Sequence, residues 1–230
     1  MVSQNIKIAV DAIIFGYEKG QLFVLLIKQK SGPFANIWCL PGGFVKDQES
    51  LTEAVERELL EETGISVNYL EQLYTFGDPG RDVRKRVISV AYFGLVDPSK
   101  LSLIKKNDTD AEDADWFAIR ELPSLGYDHS RIVATALERL RAKLSYQPIG
   151  FDLLPAKFLF SDLENLYTSI LEKEIDRRNF RKKIMSFGLL TETNEQIGSG
   201  KGRPGKLYQF DKQRYEELSQ KDFLFEIKFA

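Results

Sequence analysis

Apolar and polar residues alternate with a period of two along Ile6–Tyr17 and Leu22–Gln29, and Glu18-Lys19-Gly20 between them is a turn signal. Two strands are predicted there, a third over Arg86–Val96 and a short fourth over Ala114–Ile119. The period changes to that of a helix over Ser50–Thr63 and again over His129–Leu144, where Ile132, Ala136, Leu137, Leu140 and Leu144 share one face. Strands mixed with helices but not strictly alternating predict an α+β fold, helices flanking a mixed sheet. Ser145–Pro155, with Pro148, Gly150 and Pro155, reads as a linker, so domains are expected over 1–147 and 148–230. Beyond it the pattern predicts helices over Ser161–Glu172 and Asp176–Phe187. A glycine-rich hairpin then spans Leu189–Phe210, its tip at Gly198–Gly205.

Composition narrows the chemistry. With 43% hydrophobic residues among 230, the chain has material for real cores and is not a disordered one. One cysteine, Cys39, excludes an internal disulfide, and without a Cys/His cluster no zinc site is expected. Neither a signal peptide nor an apolar run of about 20 residues is visible, so a reduced, cytoplasmic protein is expected. Thirty-two cations against 34 acids give a net charge of −2, which excludes a globally basic nucleic-acid binder. The charge is unevenly placed, however: Arg177–Lys206 holds eight cations against Glu192 and Glu195.

The Ser50 helix carries the most information. Ser50-Leu51-Thr52-Glu53 is a capping box, and Gly64 stands where a left-handed cap is wanted. At about 100° per residue, Leu51, Ala54, Val55 and Leu59 form the apolar stripe, and Glu58 and Glu62 fall beside it with Glu61 within a turn of both. Carboxylates on the inner side need a cationic answer. Arg57 answers one of them. A hard divalent cation, Mg²⁺ or Mn²⁺, suits the rest, and a solvated acidic face is the plain alternative.

The spacing Gly43, Glu49, then Arg57-Glu58-Leu59-Leu60-Glu61-Glu62-Thr63-Gly64-Ile65 resembles, at every fixed position, the box of the Nudix hydrolase family. Trp38-Cys39-Leu40-Pro41-Gly42-Gly43 is similar to the family's approach loop. The resemblance covers about residues 5–145 and implies an α/β/α sandwich with a mixed sheet and pyrophosphate chemistry with Mg²⁺ or Mn²⁺. It implies Glu58 and Glu62 as principal metal ligands, Glu61 as a further ligand or base, and a contribution from Gly42 and Gly43 of the loop. Arg57 would orient a carboxylate and Glu49 support the loop–helix junction. A later general base would lie among Asp108, Asp110, Glu112 and Asp113. Asp78-Pro79-Gly80-Arg81-Asp82 resembles the ADP-ribose-cleaving branch in its proline. Arg81 and Arg86 suggest a phosphate clamp, against which a solvated hairpin tip, RDVRKR, is the plainer reading. His129, the only histidine, reads as a capping or packing residue, and Cys39 as a small buried hydrophobe.

Helix, cationic helix, then a wing with a Gly/Lys/Arg tip is the layout of a winged helix-turn-helix. Phe180, Ile184 and Phe187 recur at helical spacing and can pack inward, leaving Arg177, Arg178, Arg181 and Lys182 for a major groove, with a solubilising face or an acidic partner as the plainer alternative. Lys201, Arg203 and Lys206 on the wing would reach backbone or minor groove. The order of the two domains resembles the bacterial Nudix-related transcriptional regulators. Asn179-Phe180-Arg181 and Gly202-Arg203-Pro204 with Leu207-Tyr208 are similar to that group's recognition-helix and wing sequences, which implies Asn179 as a further DNA contact. That resemblance implies a homodimeric repressor of operator DNA whose effector is ADP-ribose, a related nucleotide or a pentose. Many such regulators have a degraded box; here it is complete, which keeps an active pyrophosphatase as the alternative.

Overall fold

The computed structural model describes residues 5–97, 111–197, 205–221 and 225–229, the side chains of 111–113 apart. The chain divides into two compact units, and the division falls after Arg139.

The first unit is built on a mixed sheet. Its strands are β1 (Lys7–Glu18), β2 (Gln21–Gln29), β3 (Trp38–Cys39), β4 (Gly42–Phe44), β5 (Tyr69–Phe76), β6 (Val87–Val96) and β7 (Ala111–Ala118). The path runs β3-β2-β1-β6-β5, with β4 paired to β1 and β7 to β2. β1 and β6 are parallel over ten residue pairs, whereas β5–β6 and β2–β7 are antiparallel. β1 is central, and both its faces are buried, which explains its near-continuous apolar run.

Helix α1 (Leu51–Thr63) closes one side. Ser50 caps it by accepting from the Glu53 amide, Glu53 answers the Ser50 amide, and Gly64 ends it at φ 74°. Its stripe Ala54, Val55 and Leu59 packs with Val10, Ala12 and Ile14 of β1 and with Val90 and Tyr92 of β6. Helix α2 (His129–Tyr146) starts beside β1, where the His129 ring meets Asp11, and Arg139 reaches the Leu73 carbonyl of β5.

The second unit holds α3 (Phe160–Leu171), α4 (Arg177–Ser186), α5 (Lys212–Ser219) and a three-stranded sheet. The sheet order is β8 (Phe158–Leu159), β10 (Gly205–Phe210), β9 (Leu190–Ile197). Aromatic rings form its core: Tyr167 lies 4.8 Å from Phe180, and Phe160 lies 6.1 Å from Phe180 and 6.0 Å from Tyr208. The expected linker is corrected here. Pro148, Ile149 and Gly150 are buried, Ile149 accepts from the Tyr167 hydroxyl at 2.9 Å, and Phe151 stacks on Phe210 at 4.0 Å. Proline and glycine there shape a packed turn, not a solvated tether. No helix among the described residues is long and apolar enough to cross a membrane.

Candidate functional site

A cavity of roughly 410 Å³ opens in the first unit, lined among others by Asp11, Gly42, Gly43, Glu58, Glu62 and Arg81. Small-molecule sites usually fall at about 300–1,000 Å³. Its wall is the approach loop, which passes so close to its neighbours that glycine is required twice. A Cβ on Gly42 would lie 2.2 Å from the Val10 carbonyl oxygen, and one on Gly43 2.3 Å from Glu58 Oε1. The Gly42 amide donates to Glu62 Oε2 at 2.8 Å.

Arg57 organises the acids of α1. Its guanidinium donates to both oxygens of Glu49 at 2.8 and 2.6 Å, to Glu58 Oε1 at 2.8 Å and to Glu61 Oε2 at 3.2 Å. The hydrogen bond from Arg57 holds the Glu49 carboxyl down at about 2. Glu49 also accepts from the Lys46 amide, so Glu49 and Arg57 tie the loop to the helix. Burial pushes the Glu58 carboxyl above the ordinary carboxylate range although Arg57 opposes the shift. Glu58 and Glu62 are thus turned inward, Glu62 being 6% exposed.

Glu61 is placed differently: its side chain is 49% exposed and pairs with Arg57 at 3.2 Å, while Glu58 and Glu62 line the cavity.

The oxygen donors of Glu58 and Glu62 are of the type a hard divalent cation takes. Among the described residues no group of three or more His, Cys, Asp and Glu side chains is arranged to hold a metal. Glu58 and Glu62, both lining the cavity with Gly42 and Gly43, are the residues that could hold a divalent cation, which would need further oxygens from water or a ligand. A carboxylate whose charged form is disfavoured by desolvation gains most from such a partner.

The expected pair Arg81 and Arg86 is not brought together as a clamp. Arg81 is 5% exposed and already neutralised: Nε and Nη2 donate to the two Asp128 oxygens at 3.1 and 2.7 Å, and Nη2 also reaches Asp11 Oδ2 at 3.1 Å. Arg86 does not line the cavity, and its Nη1 donates weakly to the Val87 carbonyl. The solvated-tip reading does not hold for the Arg81 side chain, which is 5% exposed. Arg84, 43% exposed and paired with Asp82 at 2.8 Å, is the more accessible cation at the cavity wall.

Asp11 is a site residue that the sequence pattern does not disclose. It is buried in β1, and its Oδ2 accepts from Ser89 at 2.5 Å as well as from Arg81. A lone acid inside the run Ile8–Tyr17 is the available signal. Of the acids expected to include a later base, Asp108 and Asp110 lie outside the described residues, and Glu112 and Asp113 fall in β7 among side chains that are not described.

In the second unit, α4 begins at the Asp176 cap, whose carboxylate accepts from the Asn179 amide at 3.0 Å. Phe180 and Ile184 are buried, Phe187 is half-buried, and Arg177, Arg178 and Lys182 are exposed. Arg181 is exposed as well, and it also has partners within the domain. It donates to the Tyr208 hydroxyl at 3.0 Å and its guanidinium lies 4.4 Å from the Phe160 ring centre. On the wing, Lys206 pairs with Glu192 at 2.6 Å across the hairpin. Lys201 and Arg203 lie outside the described residues.

Residues 6–136 match the NUDIX domain family, and residues 150–210 match the family described as the NrtR DNA-binding winged helix domain. The ADPR responsive transcriptional repressor NtrR of Acinetobacter baylyi is 33% identical over 211 residues, 90% of this chain and 83% of that protein. The ADP-ribose pyrophosphatase of Methanocaldococcus jannaschii is 40% identical over 126 residues, 55% of this chain and 70% of that protein. Shewanella oneidensis NrtR, in its crystal structure complexed with a 27mer DNA, matches at a TM-score of 0.79 and 29% identity, over 96% of this chain and 98% of that one. With the glycine loop, the capped acidic helix and the winged unit all in place, the chain belongs to the Nudix family, in the group whose Nudix domain is followed by an NrtR-type winged helix domain.

Proposed function

We propose that this chain is an ADP-ribose-responsive transcriptional repressor: a regulatory domain over residues 1–147 receives the effector, and a winged-helix domain over 148–230 binds operator DNA. One observation carries the reading. A cavity walled by Gly42, Gly43, Glu58 and Glu62 is joined in one chain to a helix that exposes Arg177, Arg178 and Lys182. The similarity to the Acinetobacter repressor over nearly the whole length supports it.

In this reading Glu58 and Glu62 hold Mg²⁺ or Mn²⁺ against the effector's diphosphate, and Arg57 keeps Glu58 aimed inward while bracing Glu49. Arg84 is the cation placed to meet phosphate oxygens. The bound ion supplies charge neutralisation and, where hydrolysis occurs, a water of lowered pKa. Asn179 and the exposed cations of α4 face DNA together with Lys201, Arg203 and Lys206 of the wing. A homodimer would engage two half-sites about 34–36 Å apart, or a multiple of that spacing. Release requires that the effector bind the DNA-free state more tightly than the DNA-bound one, since equal affinity for both shifts nothing. Such a protein works in the cytoplasm.

The test is fluorescence anisotropy on a duplex from upstream of the chain's own gene, at stated salt, titrated with ADP-ribose and separately with nucleotides and pentoses. Specific binding relieved by ADP-ribose is expected. Absence of specific binding sinks the repressor, and relief by a pentose alone replaces the effector. A second reading, Mg²⁺-dependent pyrophosphatase, is favoured by the complete box and the inward Glu58 and Glu62. AMP and ribose 5-phosphate released from ADP-ribose by the wild-type chain but not by Glu58→Gln would establish it.

A further inference from the structure

His129 is the only histidine in the chain, and it is 4% exposed at the first position of α2. Its Nδ1 accepts a hydrogen bond from the Leu40 amide at 2.8 Å, which requires that nitrogen to carry no proton. Its Nε2 lies 3.4 Å from Asp11 Oδ1, so the proton of the neutral ring faces a carboxylate. The other Asp11 oxygen is taken by Ser89 and Arg81, and Arg81 is held in turn by Asp128, the residue before His129. The ring is therefore fixed at both nitrogens by groups that are themselves fixed.

Leu40 opens the approach loop, and each of the next residues has its own anchor. The Pro41 carbonyl accepts from the Ala12 amide at 2.8 Å, the Gly42 amide donates to Glu62, and Gly43 rests against Glu58. The loop is thus pinned by β1 at its middle and by the two carboxylates at its far end. At its near end the pin is an imidazole.

We propose that His129 is a positioning residue for the ligand site: as an unprotonated acceptor it fixes Leu40, and through Leu40 the two glycines that meet Glu58 and Glu62. The role rests on the reading of this cavity as the ADP-ribose site. It assigns the histidine to loop placement, not to proton transfer. Burial, which lowers the ring's proton affinity against the pull of Asp11 and Asp128 and with the push of Arg81, keeps the acceptor form.

An asparagine oxygen at this position falls close to where Nδ1 stands, so His129→Asn keeps an acceptor for the Leu40 amide, and His129→Leu removes it at similar volume. In calorimetric titrations of the full chain with ADP-ribose and Mg²⁺, the Asn variant is expected within about threefold of wild type. The Leu variant is expected about tenfold weaker, the cost of one unmade buried hydrogen bond. Long-range ¹⁵N spectra of the sole histidine in the wild-type chain should show a neutral ring protonated at Nε2, with a slowly exchanging Leu40 amide. A ring protonated at Nδ1, or a Leu variant that binds like wild type, overturns the proposal. No heat from the wild-type chain overturns the reading of the cavity instead. The ring tautomer and the Leu40 exchange rate need no ligand, and they decide the hydrogen bond by themselves even if a variant fails to fold.

Discussion

Gly43 and Glu58 touch so closely that no side chain fits between them: a Cβ at position 43 would stand 2.3 Å from Glu58 Oε1 and 2.5 Å from its Cδ. The obstructing atoms are the far end of a flexible side chain, which can swing away. Gly43→Ala should therefore fold with a melting temperature near wild type while displacing the carboxylate. Calorimetric titration with ADP-ribose in Mg²⁺ should show affinity down by about tenfold or more, the scale of a lost charge-assisted contact. Gly42→Ala is the contrast. Its Cβ would strike the Val10 carbonyl oxygen, part of the sheet, so the fold itself should lose about 1–3 kcal/mol in denaturant melts. Equal stability of the two variants would show that the loop is loosely held.

These two contacts also mark the limit of what the sequence discloses. The capping box, the Gly64 stop and the inward Glu58 and Glu62 are legible because each depends on residues within a turn or two of helix. The exposure of Glu61 is not, because a helical projection gives directions and not contacts, and its pairing with Arg57 is a contact. Asp11 escapes for another reason: its partners Arg81 and Ser89 stand 70 and 78 residues away, and no local pattern announces them. The same distance effect turns Arg81 from an expected clamp into an internal tie. Strands β3, β4 and β8 are two or three residues long, too short for any period to register.

Cys39 offers a clean chemical test of the loop. It is buried under Gly126 and Phe34, and burial pushes its thiol up to about 12, against a lowering contact from the Gly126 backbone. The thiolate is the reactive form. Iodoacetamide at pH 8 should leave the native chain unmodified by mass spectrometry and label one site after unfolding. Rapid labelling of the folded protein would mean that the segment Trp38–Gly43 opens readily.

His129 makes stability depend on pH in a stated direction. Its proton affinity in the folded state is lowered from the ordinary value of 6.5, by burial first, with Asp11 and Asp128 opposing and Arg81 assisting. Below that ordinary value the unfolded chain binds a proton that the folded one resists, so this contribution is fully present above pH 6.5 and is lost as pH falls. The slope from this one group approaches about 1.4 kcal/mol per pH unit. Denaturant melts between pH 7.5 and 5.5 should therefore fall more steeply for wild type than for His129→Asn. Parallel curves would place the titrating group elsewhere.

Helix α4 sets exposed cations beside one, Arg181, that is also tied to Tyr208 and Phe160. Arg178 and Lys182 are four residues apart, on one helical face, and exposed. Replacing both by alanine should leave the melting temperature unchanged, since exposed cations contribute little to folding. Operator affinity should drop, and the slope of log K against log salt should shrink by about two, one for each phosphate contact removed. Arg181→Ala should behave differently. It loses the bond to Tyr208 and the stacking on Phe160, so it should lower both the melting temperature and the affinity, with a stability loss of about 1–2 kcal/mol. Tyr208→Phe removes only the bond and isolates that share, while Arg181→Lys retains charge without the planar stack. Anisotropy titrations at three or more salt concentrations, paired with thermal melts, read both effects at once. An unchanged salt slope in the Arg178/Lys182 double variant would remove that face of α4 from the DNA interface and leave the wing to carry it.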